Sequence, residues 1–213
     1  TIPHKISMLK FLDEMDENCK TIGATNTILN ENGHFKGYNT DMDGFLEPIK
    51  KRNMIIQNSN VLLLGAGGAA RAIIAGMSKE KARNVTIVNR TIEHSLELKK
   101  FSQSLGLDAE VKTIEEMNEF NADYNFIINS SSIGLKNETN IIPTKIINEE
   151  TVVYDIVYKP VNTELIKESK KKNAPIIYGY EMLLSQAVRS FEIWLKQEAP
   201  YDVMKKAILG GFT

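Results

Sequence analysis

The sequence predicts an α/β fold with a doubly wound parallel sheet and a second, smaller α/β part. Five nearly continuous apolar runs predict strands that are buried on both faces, and helical segments separate most of them. The runs are V-L-L-L, V-T-I-V, Y-N-F-I-I-N, V-V-Y-D-I-V-Y and P-I-I-Y-G. Because parallel strands need crossover connections, this alternation from Val61 onward favours a parallel sheet.

The composition excludes several classes of function. The 213 residues are 42% hydrophobic and 25% charged, as in ordinary globular proteins, and the formal net charge is only -1. A nearly neutral chain lacks the basic surface with which proteins bind nucleic acid or an anionic membrane. We therefore expect a small-molecule substrate, with no nucleic acid and no membrane as partner.

The protein is predicted to be cytoplasmic. Its single cysteine, Cys19, cannot form an internal disulfide, and no stretch has the features of a signal peptide. The most apolar stretch, Val61 to Met77, contains Arg71 and is shorter than the ~20 residues that a membrane-spanning helix needs.

Ahead of the parallel sheet, the pattern predicts a helix, a hairpin and a second helix. Apolar residues recur at mainly helical spacing from residue 6 to residue 18. In A-T-N-T-I-L-N-E-N-G-H-F-K-G-Y-N-T, β-prone residues flank Asn32-Gly33, a pair that readily adopts positive φ in hairpin turns. The second helix is predicted from Asp43 to Lys51. After the parallel sheet, a long helix is predicted from Glu181 to Lys196 and a short one to Leu209.

A dinucleotide site is predicted where the first strand of the parallel sheet ends. In V-L-L-L-G-A-G-G-A-A-R-A, Gly65, Gly67 and Ala70 have the spacing of a dinucleotide-binding turn between a strand and a helix. Gly65 allows the tight turn, Gly67 lets the backbone approach the pyrophosphate, and Ala70 lets helix and strand pack closely. The alternative is a glycine-rich turn without a ligand. The predicted cofactor-binding residues of this turn are Gly65, Ala66, Gly67, Gly68 and Ala69.

The end of the second strand favours NADP over NAD. Enzymes that use NAD usually have an acidic residue there, whereas V-T-I-V-N-R-T has Asn89, Arg90 and Thr91, which are predicted to bind the cofactor. An acid would repel the 2′-phosphate of NADP, but the planar guanidinium of Arg90 suits phosphate oxygens. The alternative for Arg90 is a solvated arginine at a strand end.

A lysine and a carboxylate are the candidates for catalysis. Hydride transfer from a nicotinamide to a ketone develops negative charge on the oxygen, so the protein must supply a proton donor there. Lys5 in T-I-P-H-K can donate that proton, and Asp41 in G-Y-N-T-D can hold the lysine in place. Judged from chemistry alone, a lysine and a carboxylate in separate loops are more often surface charges.

A series of motifs, in one order and at similar spacing, resembles those of the shikimate dehydrogenases. The motifs are T-I-P-H-K, G-A-T-N-T, G-Y-N-T-D-M-D-G, G-A-G-G-A-A-R-A, N-R-T, N-S-S-S-I-G-L, D-I-V-Y-K-P and G-Y-E-M-L-L-S-Q-A. They extend over most of the chain, from Thr1 to Ala187. The resemblance implies a Rossmann-like fold and the reversible reduction of 3-dehydroshikimate to shikimate with NADPH, a step of aromatic amino acid biosynthesis.

The resemblance also implies roles for single residues. It makes Lys5 the catalytic lysine and Asp41 its partner, which also binds a substrate hydroxyl. Further substrate contacts are implied for Thr1, Asn26, Tyr158 and Gln186. No metal is implied.

Two segments are implied to lie near the nicotinamide. They are the loop from Asn129 to Leu135 and the residue Gly179. For the three serines of the loop, 130–132, hydroxyl groups that satisfy a tight loop are the alternative to a direct role. Family members often have a second basic residue shortly after the arginine of N-R-T. Here that position is His94, which predicts weaker or pH-dependent binding of the 2′-phosphate.

The resemblance assigns residues 43–179 to an NADP-binding domain and residues 1–42 and 180–213 to a substrate domain. Similar enzymes carry on the order of sixty residues before the lysine motif, including two strands and a pair of serines that bind the substrate carboxylate. We therefore expect a truncated chain. Its substrate domain is expected to be either poorly ordered or covered by self-association with a neighbouring chain.

Two other functions stay open at this point. One is a quinate or shikimate dehydrogenase that uses NAD, against which Arg90 argues. The other is a non-catalytic NADP-binding module, because a chain without the carboxylate-binding serines lacks groups that orient the substrate.

Overall fold

The computed structural model of the protein describes residues 4–120, 123–134 and 142–211. Within these ranges a three-stranded sheet comes first along the chain, with the order β1-β3-β2. Its strands are β1 (Glu14–Met15), β2 (Thr27–Glu31) and β3 (His34–Tyr38). β2 and β3 form an antiparallel hairpin whose turn has φ of 55° at Asn32 and 91° at Gly33. The predicted hairpin is therefore confirmed.

The helix predicted over residues 6–18 is wrong. A 3₁₀ helix covers only Ser7–Phe11, the chain is then extended through β1, and helix α1 occupies Glu17–Ile22. The Asp13 amide donates to the Phe35 carbonyl at 2.9 Å, which holds this segment against β3. The Asp16 carboxylate accepts from the Cys19 amide at 2.7 Å and caps a new helix. Pairing with β3 therefore overrides the helical spacing of the apolar side chains.

Helix α2 (Asp41–Lys51) follows the hairpin and begins at Asp41 rather than at the predicted Asp43. Its first turn contains two carboxylates, Asp41 and Asp43, where the positive end of the helix dipole favours negative charge. The beginning of this helix therefore places Asp41 beside the smaller sheet.

The second sheet has six parallel strands in the order β6-β5-β4-β7-β8-β9. They are β4 (Asn60–Leu64), β5 (Asn84–Val88), β6 (Asp108–Lys112), β7 (Phe126–Asn129), β8 (Val152–Asp155) and β9 (Ile176–Tyr178). The chain adds strands outward from β4 on one side and then continues from β7 on the other. This order is that of the predicted doubly wound fold, and the direction reverses between β4 and β7.

Helices cover both faces of this sheet. In chain order they are α3 (Gly68–Lys79), α4 (Ile92–Ser104), α5 (Glu164–Lys171) and α6 (Gly179–Leu195). The last helix, α7 (Tyr201–Gly210), packs against α6 and has no buried residue. Along β4, Val61 and Leu63 belong to one buried cluster, and Leu62 and Leu64 belong to another. Burial on both faces explains why these strands are continuous apolar runs. Among the described helices, none is long and apolar enough to cross a bilayer.

Arg71 joins α3 to the smaller part of the protein. Its Nε donates to the Ile22 carbonyl at the end of α1, at 2.9 Å. The guanidinium carbon lies 3.9 Å from the ring centroid of Phe101 on α4, a cation–π arrangement. Burial lowers the pKa of the Arg71 guanidinium, although arginine at this site stays protonated at neutral pH. The residue therefore links three helices through one charged group.

Candidate active site

A cleft of about 380 Å³ lies at the carboxyl ends of β4, β5 and β7, where the strand order reverses. We call it the switch-point cleft. Ligands of open α/β sheets bind at such a position. Its polar and glycine-rich wall comes from three loops, which contribute Gly65, Ala66 and Gly67, then Asn89, Arg90, Thr91 and His94, then Ser130, Ser131 and Ser132.

The two glycines of the first loop differ in their surroundings. Gly65 has φ of +96°, and a Cβ atom there would lie 2.8 Å from the Ser130 carbonyl carbon and from the Ser131 nitrogen. Gly67 occupies the N-cap position of α3, and a Cβ there would meet nothing within 4 Å. Gly65 is therefore required by the protein's own backbone, whereas the space beside Gly67 is open to a ligand.

The loop after β5 carries the positive charge of the cleft. Arg90 and His94 are both exposed and line the wall, and the described lining residues include no carboxylate. The Asn89 side-chain amide donates to the Thr91 carbonyl at 2.9 Å, which holds the loop in a tight turn. The arrangement suits an anion, and an acid that would bind a ribose diol is not among the described lining residues.

Six of the predicted cofactor-binding residues meet in this cleft, and three do not line it. Those that line it are Gly65, Ala66, Gly67, Asn89, Arg90 and Thr91. Gly68 and Ala69 lie in the first turn of α3 and do not line the cleft. Gly179 begins α6, and a Cβ there would lie 2.6 Å from the Val157 carbonyl oxygen, so close packing alone requires glycine.

The serine loop after β7 is held by its own hydroxyl groups. Ser130 Oγ donates to the Leu64 carbonyl at 2.8 Å, and Ser131 Oγ donates to Asn129 Oδ1 at 2.6 Å. These contacts agree with the alternative in which the hydroxyl groups of Ser130 and Ser131 satisfy the hydrogen bonds of a tight loop. Ser132 is exposed at the wall of the cleft. Leu135, the last residue of the predicted loop, lies outside the described residues.

Asp155 holds the beginning of the serine loop in position through hydrogen bonds to its carboxylate. Its carboxylate accepts hydrogen bonds from Asn129 Nδ2 at 2.9 Å, from the Val157 amide at 3.1 Å and from Thr163 Oγ1 at 2.6 Å. The side chain is fully buried, and burial raises the pKa of the Asp155 carboxyl despite these three donors.

Neither this role of Asp155 nor the contribution of Ile114 to the wall was predicted from the sequence. Thr163 before E-L-I-K is a recognisable helix cap, since its side chain accepts from the Ile166 amide. Ile114 could not be placed because the strand before it, β6, was not predicted.

A second cluster of polar side chains lies at the beginning of α2. Lys5 Nζ donates to Asp41 Oδ2 in an ion pair, with the two side chains 20% and 10% exposed. Asn26 Nδ2 donates to Asp41 Oδ1 at 2.9 Å. Lys5 is held in place through its backbone, because the Thr25 amide donates to the Lys5 carbonyl at 2.8 Å. The structure therefore brings together three residues that the sequence analysis named.

The other residues predicted to contact the substrate are less closely associated with the cluster of Lys5, Asn26 and Asp41. Gln186 lies on α6 and its Nε2 donates to the Leu183 carbonyl at 2.9 Å, so its amide points along its own helix. Tyr158 follows β8 and is 45% exposed. Thr1 lies outside the described residues.

The parallel sheet, the glycine turn at the strand reversal and the basic loop after β5 define a dinucleotide-dependent oxidoreductase. The chain belongs to the shikimate dehydrogenase family. A model of the family described as "Shikimate / quinate 5-dehydrogenase" matches residues 48–159, just over half of the chain. A second, described as "Shikimate 5'-dehydrogenase C-terminal domain", matches residues 179–209.

Individual relatives agree with this assignment. The shikimate dehydrogenase (NADP(+)) of Nitrosopumilus maritimus is 62% identical over 212 residues, which are 100% of this chain and 78% of the relative. A crystal structure of a shikimate dehydrogenase in complex with NADP+ is 36% identical with a TM-score of 0.90, and the match covers 100% of this chain and 75% of that one. The Thermus thermophilus enzyme in complex with NADP(H) and shikimate is 30% identical with a TM-score of 0.82, covering 98% and 76% of the two chains.

Proposed function

We propose that this protein catalyses the reversible reduction of 3-dehydroshikimate to shikimate with NADPH. Family membership supports this reaction, and so do two arrangements within the chain. One is the switch-point cleft with Arg90 in its wall. The other is the ion pair between Lys5 and Asp41, which carries the proposal because it supplies a proton donor that is partly buried and held in place by a carboxylate.

The residues of the switch-point cleft fit NADP. The open space at Gly67 leaves room for a pyrophosphate next to the amide groups at the beginning of α3. Arg90 and His94 are placed to bind a 2′-phosphate, with Asn89 and Thr91 shaping the loop that carries them. We assign residues 43–179 to this nucleotide-binding domain, and residues 1–42 and 180–213 to the substrate domain.

The chemistry requires a proton at the substrate's carbonyl oxygen. When bound, NADPH supplies the hydride that reduces the carbonyl carbon. In this proposal Lys5 holds a proton on Nζ and gives it to the developing alkoxide, and in the reverse direction Lys5 takes the proton back. Asp41 keeps the ammonium in position through its Oδ2 atom and presents its carboxylate to a substrate hydroxyl.

The other substrate contacts in this proposal come from both parts of the substrate domain. Asn26 Nδ2 donates to Asp41 Oδ1 and Thr40 Oγ1, so in this proposal its Oδ1 accepts from a ring hydroxyl. Further contacts are assigned to Thr1, Tyr158 and Gln186. Gly179 is assigned to the neighbourhood of the nicotinamide, since it begins the helix that carries Gln186.

The decisive experiment measures NADPH oxidation with 3-dehydroshikimate for the wild-type chain and for Lys5→Ala. We expect turnover by the wild type and a loss of about a hundredfold or more in kcat for the variant, since a positioned proton donor contributes that much. Lys10→Ala is the matched control, because Lys10 is a neighbouring lysine over the Phe11 ring and outside the ion pair. Its kcat should equal that of the wild type.

Other outcomes would contradict the proposal in distinct ways. Binding of NADPH without turnover would identify a non-catalytic NADP-binding module. Turnover of quinate with NAD in preference to shikimate with NADP would identify the related dehydrogenase. An equal loss in Lys5→Ala and Lys10→Ala would remove Lys5 from its assigned role.

A further inference from the structure

Ser190 lies on α6, one turn after Gln186, and is only 5% exposed. Its hydroxyl is surrounded by three oxygen atoms of the protein. Thr27 Oγ1 lies at 2.7 Å, Thr40 Oγ1 at 3.1 Å and the Gln186 carbonyl oxygen at 3.0 Å. The two threonines are at most 2% exposed, so the group of three hydroxyls is shielded from solvent.

The hydroxyl protons can be placed by counting donors and acceptors. Each hydroxyl has one proton to donate and two lone pairs that accept. The Gln186 carbonyl can only accept, and the arrangement in which Ser190 donates to it and accepts from Thr40 satisfies every group. The Thr40 oxygen is then free to accept from Asn26 Nδ2, which lies at 2.9 Å. The Thr27 proton has two acceptors within reach, Ser190 Oγ and Asn26 Oδ1.

Two partners with a single possible role, the Thr40 backbone amide and the Asp41 carboxylate, fix the orientation of the Asn26 amide. Asn26 Oδ1 accepts from the Thr40 backbone amide at 3.0 Å, and Nδ2 donates to both Thr40 Oγ1 and Asp41 Oδ1. A continuous series of hydrogen bonds therefore leads from the Asp41 carboxylate to the backbone of α6. Removing Ser190 would leave the Thr40 proton to turn to Asn26 Oδ1 at 3.3 Å, and the connection from Asn26 to α6 would be broken.

We infer that Ser190 is a positioning residue for the Lys5–Asp41 pair, acting through Thr40 and Asn26. The inference rests on the proposed function, because it concerns the same pair. Its chemical content is that the Ser190 hydroxyl accepts from Thr40 and leaves Thr40 Oγ1 as a fixed acceptor for Asn26 Nδ2, so that the amide that donates to Asp41 is held in one position. Because the final acceptor is the Gln186 carbonyl, the series also ties the position of α6 to that of Asp41.

The test compares Ser190→Ala with Ser185→Ala, which removes a hydroxyl from a neighbouring buried position of α6, 9% exposed and outside the series. For Ser190→Ala we expect kcat/KM for 3-dehydroshikimate to fall about five- to tenfold, as for the loss of one hydrogen bond. The KM for NADPH should be unchanged, and Ser190→Thr should restore most of the activity. In an Asn26→Ala background, Ser190→Ala should cause no further loss.

A readout that does not depend on activity is the pair of Asn26 side-chain amide signals in a ¹⁵N NMR spectrum, identified by their absence in Asn26→Ala. They should shift in Ser190→Ala and stay in place in Ser185→Ala. Thr40→Val breaks the same series from the other side, and replaces Ser190→Ala if that variant does not fold.

Unchanged Asn26 signals in Ser190→Ala would overturn the inference. So would equal kinetic losses in the two serine variants, or a loss in the Asn26→Ala background as large as in the wild type. Absence of turnover in the wild-type chain would instead contradict the proposed function, and the NMR signals would then decide the inference by themselves.

Discussion

Gly44 of α2 lies directly against Gln186 of α6. A Cβ atom on Gly44 would come within 2.7 Å of the Gln186 Cβ and 2.9 Å of its backbone nitrogen. The two helices therefore cross with their backbones close together. The same crossing places Asp41, at the beginning of α2, near the helix that carries Ser190.

We predict that Gly44→Ala lowers the free energy of unfolding by about 1–3 kcal/mol, as for overpacking of a close contact. Alanine usually favours a helix over glycine by about 0.5–1 kcal/mol, but the atoms it would meet here include the Gln186 nitrogen and the Met182 carbonyl, which cannot rotate away. Urea unfolding measures the change. Gly210→Ala on α7, where a Cβ meets nothing within 4 Å, is the control, and similar midpoints for both variants would contradict the prediction.

The two glycines of the first cleft loop should respond differently to substitution. Gly65→Ala should lower the free energy of unfolding by more than about 1 kcal/mol, because φ is +96° and the new Cβ would overlap with the serine loop. Gly67→Ala should change stability by less than about 0.5 kcal/mol and weaken NADP+ binding about tenfold, since its Cβ would occupy the ligand's space. Urea unfolding and calorimetric titration separate the two effects. Wild-type affinity in Gly67→Ala would show that the pyrophosphate lies elsewhere.

Arg90→Ala should weaken NADP+ binding about ten- to a hundredfold and leave NAD+ binding unchanged, because a charged hydrogen bond to phosphate is lost. Arg83→Ala is the matched control. Arg83 is also exposed, but it lies just before β5, at the opposite end of the strand from Arg90. Calorimetric titration of both nucleotides into all three proteins is the measurement. A similar loss for NAD+, or in the Arg83 variant, would argue against a 2′-phosphate contact.

The buried carboxyl of Asp155 should leave a signature in the pH dependence of stability. Its pKa is raised above the ordinary value of 3.8, so the folded protein holds this proton more tightly than the unfolded chain does. The stability that the proton contributes is present below pH 3.8 and is lost as the pH rises through the raised pKa. The free energy of unfolding of the wild type, minus that of Asp155→Asn, should therefore fall as the pH rises over this window.

Urea midpoints of both proteins across a pH series test this prediction. Asp202→Asn, at an exposed position of α7, controls for the loss of a carboxylate. If the free energy of unfolding of the wild type, minus that of Asp155→Asn, grew with rising pH, the sign would be wrong and the raised pKa of the Asp155 carboxyl would be contradicted.

The sequence by itself determined the parallel sheet and the turn at its strand reversal. The alternate residues of β4 face two separate buried clusters, and only a sheet covered on both sides gives such a continuous apolar run. The hairpin turn at Asn32 and Gly33 was equally predictable, because positive φ is a local property that few residue types tolerate. These features depend on neighbours in sequence.

Where strand pairing decides the local structure, the sequence was a poor guide. Residues 6–18 have apolar side chains at helical spacing, yet β1 forms because Glu14 and Met15 pair with β3. At the sheet edge β6 was missed, since it alternates a buried Ala109 with an exposed Glu110 and so lacks a continuous apolar run. In both cases the deciding hydrogen bonds come from a distant segment.

The family resemblance paired Lys5 with Asp41, but only the tertiary structure decided how the polar residues around them connect. Lys5 and Asp41 are 36 positions apart, and Thr27 and Ser190 are 163 apart, so no local pattern indicates that their side chains meet. The Asn26 amide is likewise held by the Thr40 backbone amide, the Asp41 carboxylate and the Thr27 hydroxyl. The physical reason is that a hydrogen bond constrains atoms a few ångströms apart in space, whatever their separation along the chain.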